Sequence, residues 1–274
     1  MIASKALNTV QEWGDRYALI GPYNPSTAAV EFEPLIPSDF SKRVINACKE
    51  KHGITVHFGR WLVKGYPRVF LIDTRTAYDQ LPKWRSELQP GFANEFDAEA
   101  NEAIVFGYCV AEFFGQLTYL AEGKRKFIAH FHEWLGSVGL IVMKRWNLPV
   151  ATVFTTHATL LGRYLSAGGV DLQAVINGSI QLNTDKEAGD RQIYNRFWIE
   201  VGACRGADVF TTVSDVTDAE ALKMLGRAAD VITPNGLNTD RFVAIHEFQN
   251  LHKKASFPIH THSFLLPLHH HLSL

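Results

Sequence analysis

Cysteine is scarce in this chain: Cys48, Cys109 and Cys204 lie far apart and make no CxxC pair. An odd number of thiols at such spacings argues against a disulfide framework and for reduced cysteines in a cytosolic protein. An excess of charge is also missing. The 27 basic and 28 acidic residues leave a formal net charge of −1 with no basic block, so neither nucleic acid nor an anionic membrane is an expected partner. The opening MIASKALNTV lacks the apolar region of a signal peptide. The most apolar stretch, Ala103 to Phe114, is broken by Glu112 and is too short to cross a bilayer. A soluble, cytoplasmic protein is expected. Several nucleotide and hydrolase fingerprints are absent as well. No two glycines stand two residues apart, which removes GxGxxG and disfavours a nicotinamide oxidoreductase. Neither GxxxxGK[ST] nor GxSxG occurs, which removes the P-loop and the hydrolase elbow.

What is present is an ordinary globular composition, 46% hydrophobic and 20% charged over 274 residues, enough for a substantial core. Short runs rich in aliphatic, aromatic and Thr residues predict strands at Tyr17–Tyr23, Ile54–Arg60, Arg68–Asp73, Phe127–Phe131, Val150–His157, Val209–Ser214 and Val231–Pro234. Helical patterns lie between them at Asp39–Lys51, Asp97–Ala121, Glu133–Trp146, Asp185–Ala207 and Thr217–Leu225, the last with Thr217 and Glu220 at capping-box spacing. Alternating strands and helices predict an α/β, Rossmann-like three-layer domain with a mostly parallel sheet. The first ten residues supply no strand and no glycine-rich turn to begin such a sheet. From about Lys253 the composition shifts. The tail KKASFPIHTHSFLLPLHHHLSL has no acidic residue, and Pro258 and Pro267 interrupt any helix in it. A domain over residues 1–252 and a divergent, disordered tail over 253–274 are expected.

In open α/β sheets ligands bind beyond the carboxyl ends of strands, where helix N-termini offer N–H groups. The segment ATVFTTHATLLGRYL fits that geometry: a Thr-rich strand ends at His157, Thr159 can cap the next helix, and Arg163 follows about one turn in. A neutral imidazole and a guanidinium there suit a sugar hydroxyl and a phosphate. Position alone favours the plainer reading, a satisfied edge histidine and a surface arginine. In AHFHEWL, His130 and His132 share one face of a strand and could ligate a metal, but no third ligand stands at a sensible spacing. In HEFQNLH, His246, Gln249 and His252 share a helix face, which by default is simply packed or solvated.

In order along the chain, EWGDRYALIGPY, HFGRWL, AHFHEWL, FTTHATLLGRYL, DKEAGDRQIY, VFTTVS and TPNGLN followed by HEFQNLH resemble the glycogen synthases of animals and fungi, over about Ser4 to His252. The resemblance implies the N-terminal half of a GT-B glycosyltransferase, with two Rossmann-like domains around a cleft. It implies metal-free, retaining transfer of glucose from UDP-glucose to the nonreducing end of glycogen by an α-1,4 bond, with no cofactor. By the same resemblance His157 and Arg163 are donor-binding, and His246, Glu247, Gln249 and His252 belong to the site for the activator glucose 6-phosphate. Glycogenin and further subunits of a homo-oligomer are the implied partners.

The resemblance also implies a first strand and a Lys-Val-Gly-Gly-Ile loop ahead of EWGD, and a complete C-terminal domain with cations for the diphosphate. This sequence shows neither, so the sheet is expected to lack its first strand and the chain by itself to be inactive. A non-catalytic fragment that binds glycogenin, glycogen or full-length subunits is the alternative.

Overall fold

Eight strands and eleven α-helices fall within residues 2–88 and 96–236, the part of the chain that the computed structural model describes. Residues 2–13 form helix α1 (Ile2–Trp13) rather than a leading strand. There follow β1 (Ala18–Pro22), α2 (Pro25–Glu31), β2 (Phe32–Pro34), α3 (Asp39–His52), β3 (Thr55–Trp61), β4 (Arg68–Asp73) and α4 (Leu81–Leu88). The second half runs α5 (Ala98–Ala121), β5 (Phe127–His132), α6 (Glu133–Arg145), β6 (Val150–Thr156), α7 (Leu160–Ala167) and α8 (Leu172–Ile176). It continues through α9 (Thr184–Asp190), α10 (Tyr194–Gly206), β7 (Val209–Thr212), α11 (Asp215–Leu225) and β8 (Val231–Ile232).

The strands form two four-stranded sheets, in the orders β1-β4-β3-β2 and β5-β6-β7-β8. The expected α/β arrangement with mostly parallel pairing holds, divided between two sheets. The second sheet is parallel throughout, whereas in the first β3 is antiparallel to both β4 and β2, and only β1 and β4 are parallel. The cause is the short connection over 62–67, which has no room for a crossover helix, so β3 and β4 must pair as a hairpin. Strands β1 and β5 are both edge strands.

A single core nevertheless spans both halves, with Val56 and Ile72 from the first sheet and Phe131, Phe154 and Phe210 from the second. Helix α5 is its spine, packing on α3 and α4 on one side and on α6 on the other. It is 24 residues long and apolar enough to cross a membrane by length and composition, yet Ile104, Val105, Cys109 and Ala111 are fully buried, as in a core helix. Gly107 allows its close approach to α6: a Cβ there would stand 2.6 Å from Gly139 N and overlap Val138. The apolar run at 103–114 is thus explained by burial on several sides.

Two helix boundaries differ from the sequence patterns. The helix expected over Asp185–Ala207 is broken: Gln192 turns the chain at φ +59°, and the N–H groups of Gln192 and Ile193 close on Gly189 and Ala188. Ile193, 2% exposed, anchors this break in the core. Helix α11 is capped by Ser214, whose Oγ accepts the Thr217 N–H at 3.1 Å, so Thr217 is not the cap. The second half of the supposed capping box, Glu220, is used elsewhere, as described below. The tail and the HEFQNLH segment, with His246, Glu247, Gln249 and His252, lie outside the described residues.

Candidate functional site

Strand β6 delivers the Thr-rich segment to the carboxyl edge of the parallel sheet and ends at Thr156. His157 follows, half-buried, and Thr159 caps α7 by accepting the Gly162 N–H at 3.0 Å. Arg163 projects from the first turn of α7 with its side chain 55% exposed. The two sequence candidates therefore sit together, and one carboxylate joins them. Glu133, at the start of α6, accepts the His157 backbone N–H at 3.0 Å and lies 3.3 and 3.4 Å from Arg163 Nη2 through its two oxygens. Burial pushes the Glu133 carboxyl up, opposed by the His157 N–H and the Arg163 charge. Glu133 holds a left-handed backbone, φ +58°, a conformation that costs a non-glycine residue of order 1 kcal/mol.

Beside this carboxylate three imidazoles stack in a row. The rings of His130 and His132 are 4.2 Å apart, and those of His132 and His157 are 5.7 Å apart. His157 Nε2 is 3.4 Å from His132 Nδ1, while His157 Nδ1 is buried with no hydrogen-bond partner among the described residues. His130 Nε2 meets Thr155 Oγ1 at 2.6 Å, and that hydroxyl meets Thr211 Oγ1 at 2.6 Å. Desolvation, then the His130 and His157 rings, drives His132 down to about 3. His130, whose outer edge is open to solvent, is lowered to about 4, mainly by desolvation and then by Lys5. Desolvation followed by the charges of Lys5 and Arg163 also lowers His157. All three rings are neutral at physiological pH. Among the described residues no group of three His, Cys, Asp or Glu side chains is placed to hold a metal.

The amides at the N-terminus of α7 were expected to be free for a ligand, and here the structure corrects the sequence reading. Glu220 accepts the Thr159 N–H at 3.0 Å and its hydroxyl at 2.6 Å, and Glu200 accepts the Leu160 N–H at 2.8 Å. Carboxyl groups from α11 and α10 thus occupy the Thr159 and Leu160 amides at this helix end. Sequence reasoning overlooked Glu133 and Glu200, and gave Glu220 only a local capping use. The first stood in plain view inside AHFHEWL, beside the histidines that drew attention. A groove of about 620 Å³ lined by Asp15, Ala18, Phe58, Arg68 and Phe70 lies on the first sheet and includes none of these residues.

Comparison with known proteins decides the kinship. The glycogen synthase family model matches residues 1–267. The chain belongs to the glycogen synthase family. It is 54% identical over 254 residues to "Glycogen [starch] synthase" of Dictyostelium discoideum, covering 93% of this chain and 28% of that protein. With "Glycogen [starch] synthase" of Neurospora crassa the identity is 49% over 95% of this chain and 37% of the relative. The liver form of Rattus norvegicus is 46% identical over 92% of this chain and 36% of its own length. The chain thus spans about a third of the length of these relatives. The fold is that of a Rossmann-like glycosyltransferase half, in which AHFHEWL is the β5–α6 junction and FTTHATLLGRYL the β6–α7 junction.

Proposed function

We propose that this chain supplies one wall of a UDP-glucose site in a retaining glucosyltransferase that extends glycogen by α-1,4 bonds, with His157 and Arg163 as the donor-contacting residues. The observation that carries the reading is the Glu133 bridge, which fixes the His157 backbone and the Arg163 guanidinium to one carboxylate at the edge of the parallel sheet. A neutral imidazole suits a sugar hydroxyl, and an exposed guanidinium suits a phosphate. The long Arg163–Glu133 contacts let a diphosphate compete for the guanidinium without leaving Glu133 wholly unpaired, because the His157 N–H remains on it. Kinship with proteins named glycogen synthase supports the substrate pair.

The same kinship supports binding of glucose 6-phosphate by His246, Glu247, Gln249 and His252, with glycogenin and further synthase subunits as partners. Three buried free thiols, Cys48, Cys109 and Cys204, support a cytoplasmic location. The chain spans 28–37% of the length of its relatives, so the transfer reaction is proposed of the whole protein, to which this stretch contributes one wall of the donor site. Titration of the purified chain with UDP-glucose, followed by amide NMR, tests the assignment. Weak binding whose shifts centre on residues 130–133 and 157–163, and which His157→Ala and Arg163→Ala each weaken by roughly tenfold or more, is expected. Shifts elsewhere, or binding indifferent to both changes, would sink it.

A further inference from the structure

The turn between His157 and Arg163 is held from inside the protein by a carboxyl group that donor recognition does not use. Glu200, on α10, is 0% exposed, as is Thr156. Glu200 Oε2 accepts the Leu160 N–H at 2.8 Å, and Glu200 Oε1 lies 3.1 Å from Thr156 Oγ1. The same Thr156 oxygen is 3.1 Å from the carbonyl oxygen of Ala158, which also receives Arg163 Nε at 3.3 Å. A continuous chain of contacts therefore runs from Glu200 through Thr156 and Ala158 to the Arg163 guanidinium.

The hydrogens of this chain can be counted. Thr156 has one hydroxyl hydrogen, and the Ala158 carbonyl can only accept. Were Glu200 ionised, its Oε1 could also only accept, and two buried acceptors would compete for a single hydrogen next to a charge withdrawn from water. With a proton on Oε1 every contact is made: Glu200 donates to Thr156, Thr156 donates to Ala158, and Oε2 still accepts from Leu160. We propose that Glu200 is a positioning residue that stays protonated at neutral pH and, as a hydrogen-bond donor to Thr156, sets the turn that carries His157 and Arg163.

The charges around it agree with this arrangement. Burial is the dominant influence and pushes the Glu200 carboxyl up to about 8; Glu133 on α6 adds to the rise, while the Leu160 N–H, Thr156 and the charge of Arg163 on α7 oppose it. On its own helix Cys204, one turn on, is a thiol pushed by burial up to about 12 and therefore uncharged, and Arg196, one turn back, is paired with Asp97. Glu220 of α11 holds the neighbouring residue, Thr159, purely as an acceptor of two hydrogens. One carboxyl gives a hydrogen to the turn and the other receives from it. Loss of the Glu200 proton makes Thr156 turn its hydrogen toward Glu200, which frees the Ala158 carbonyl and loosens Arg163. Any consequence for donor binding rests on the UDP-glucose reading above.

The test uses the full 274-residue chain with carbon-13-labelled glutamate carboxyls, beside Glu200→Gln. Glutamine keeps the pattern, with its oxygen accepting from Leu160 and its amide donating to Thr156. One carboxyl should titrate near pH 8 and vanish from the variant's spectrum. The amide signals of Ala158, Leu160 and Arg163 should move with the same midpoint in the unmodified chain and stay fixed in Glu200→Gln. A Glu200 carboxyl that titrates in the ordinary carboxylate range overturns the proposal, as do amide shifts that persist in the variant. A variant that fails to fold at neutral pH also overturns it, since the amide reproduces the proposed bonds. Infrared spectra of the unmodified chain need no variant: a protonated-carboxyl stretch should persist at neutral pH and fade above about pH 8. UDP-glucose affinity should fall several-fold between neutral pH and about pH 9 in the unmodified chain only. Absence of UDP-glucose binding at every pH in both proteins would remove the donor reading while the carboxyl titration still decides Glu200.

Discussion

The two sheets share one core but differ in what they bury. The mixed sheet buries aliphatic residues, Val56, Val69 and Ile72, and its one buried acid, Asp73, is paired at once with Arg75 at 2.7 Å. The parallel sheet and the helices on it bury Thr152, Thr155, Thr156, Thr211 and Thr212 together with Glu200 and Glu220. Buried polar groups cost free energy unless every bond is made, and nothing in the packing of a sheet requires them. Thr152 bonds Asp208 at the amino end of β6, but the others gather toward the carboxyl edge of the parallel sheet, around His157 and Arg163, in the half where the donor site is proposed.

That contrast should first appear in stability. Phe154 is fully buried at the centre of the parallel sheet and stacks on Phe210, so Phe154→Ala should cost about 3–5 kcal/mol. Phe70 is its counterpart on the mixed sheet, half-buried against Phe58 and Phe113, and the same change there should cost distinctly less. Urea unfolding of both variants makes the comparison. Equal losses would mean that the two sheets are equally well filled.

Much of the scaffold was legible in the sequence. Seven of the strands stood out because their residues are apolar on both faces or rich in Thr, and β2 did not because three residues ending in Pro34 carry no period. The antiparallel hairpin was also readable, from a connection over 62–67 too short for a crossover, but strand–helix alternation overrode it. At the candidate site, the positions of His157 and Arg163 and the Thr159 cap were readable because strand end, cap and first turn are local features. The carboxyls were not. Glu200 and Glu220 lie 44 and 61 residues from the threonines they meet, and a helix pattern shows them only as polar positions. The spacing of Thr217 and Glu220 even suggested a false local use for one of them.

The polar network gives the next effect. Glu220→Gln removes a charged acceptor from two hydrogens at the buried start of α7 and should cost about 1–3 kcal/mol by the same unfolding measurement. A neutral result would mean that Thr159 caps the helix without help, and the site half would then be less exacting than the contrast holds.

The titrating groups of the parallel half should act with opposite signs. His132 has a lowered folded value, about 3, so its neutral ring contributes stability above the ordinary histidine range, and that contribution is lost as pH falls toward about 3. Glu200 has a raised value, about 8, so its contribution is complete below the ordinary glutamate range and is lost as pH rises through about 8. His132→Asn should flatten the acid limb of the urea midpoint against pH and leave the alkaline limb in place. An unchanged acid limb would show that His132 carries no part of the acid sensitivity.

The smallest effect belongs to the mixed sheet and serves as the control for the others. Arg60 Nε lies 2.6 Å from Glu33 Oε2 across β2 and β3, as short as any contact in the buried network, but the two side chains are 41% and 44% exposed. At that exposure water screens the pair, and each partner is well solvated when the other is removed, so a short distance alone confers little. Glu33→Gln should therefore leave the urea midpoint within the error of the measurement, where Glu220→Gln lowers it. Raised salt should likewise change nothing that depends on Glu33. The two substitutions delete the same charge from the same residue type, so burial and partner count are what differ between them. Should Glu33→Gln prove as damaging as Glu220→Gln, polar contacts would matter equally in both sheets, and the buried carboxyls around His157 and Arg163 would lose their claim to mark a site.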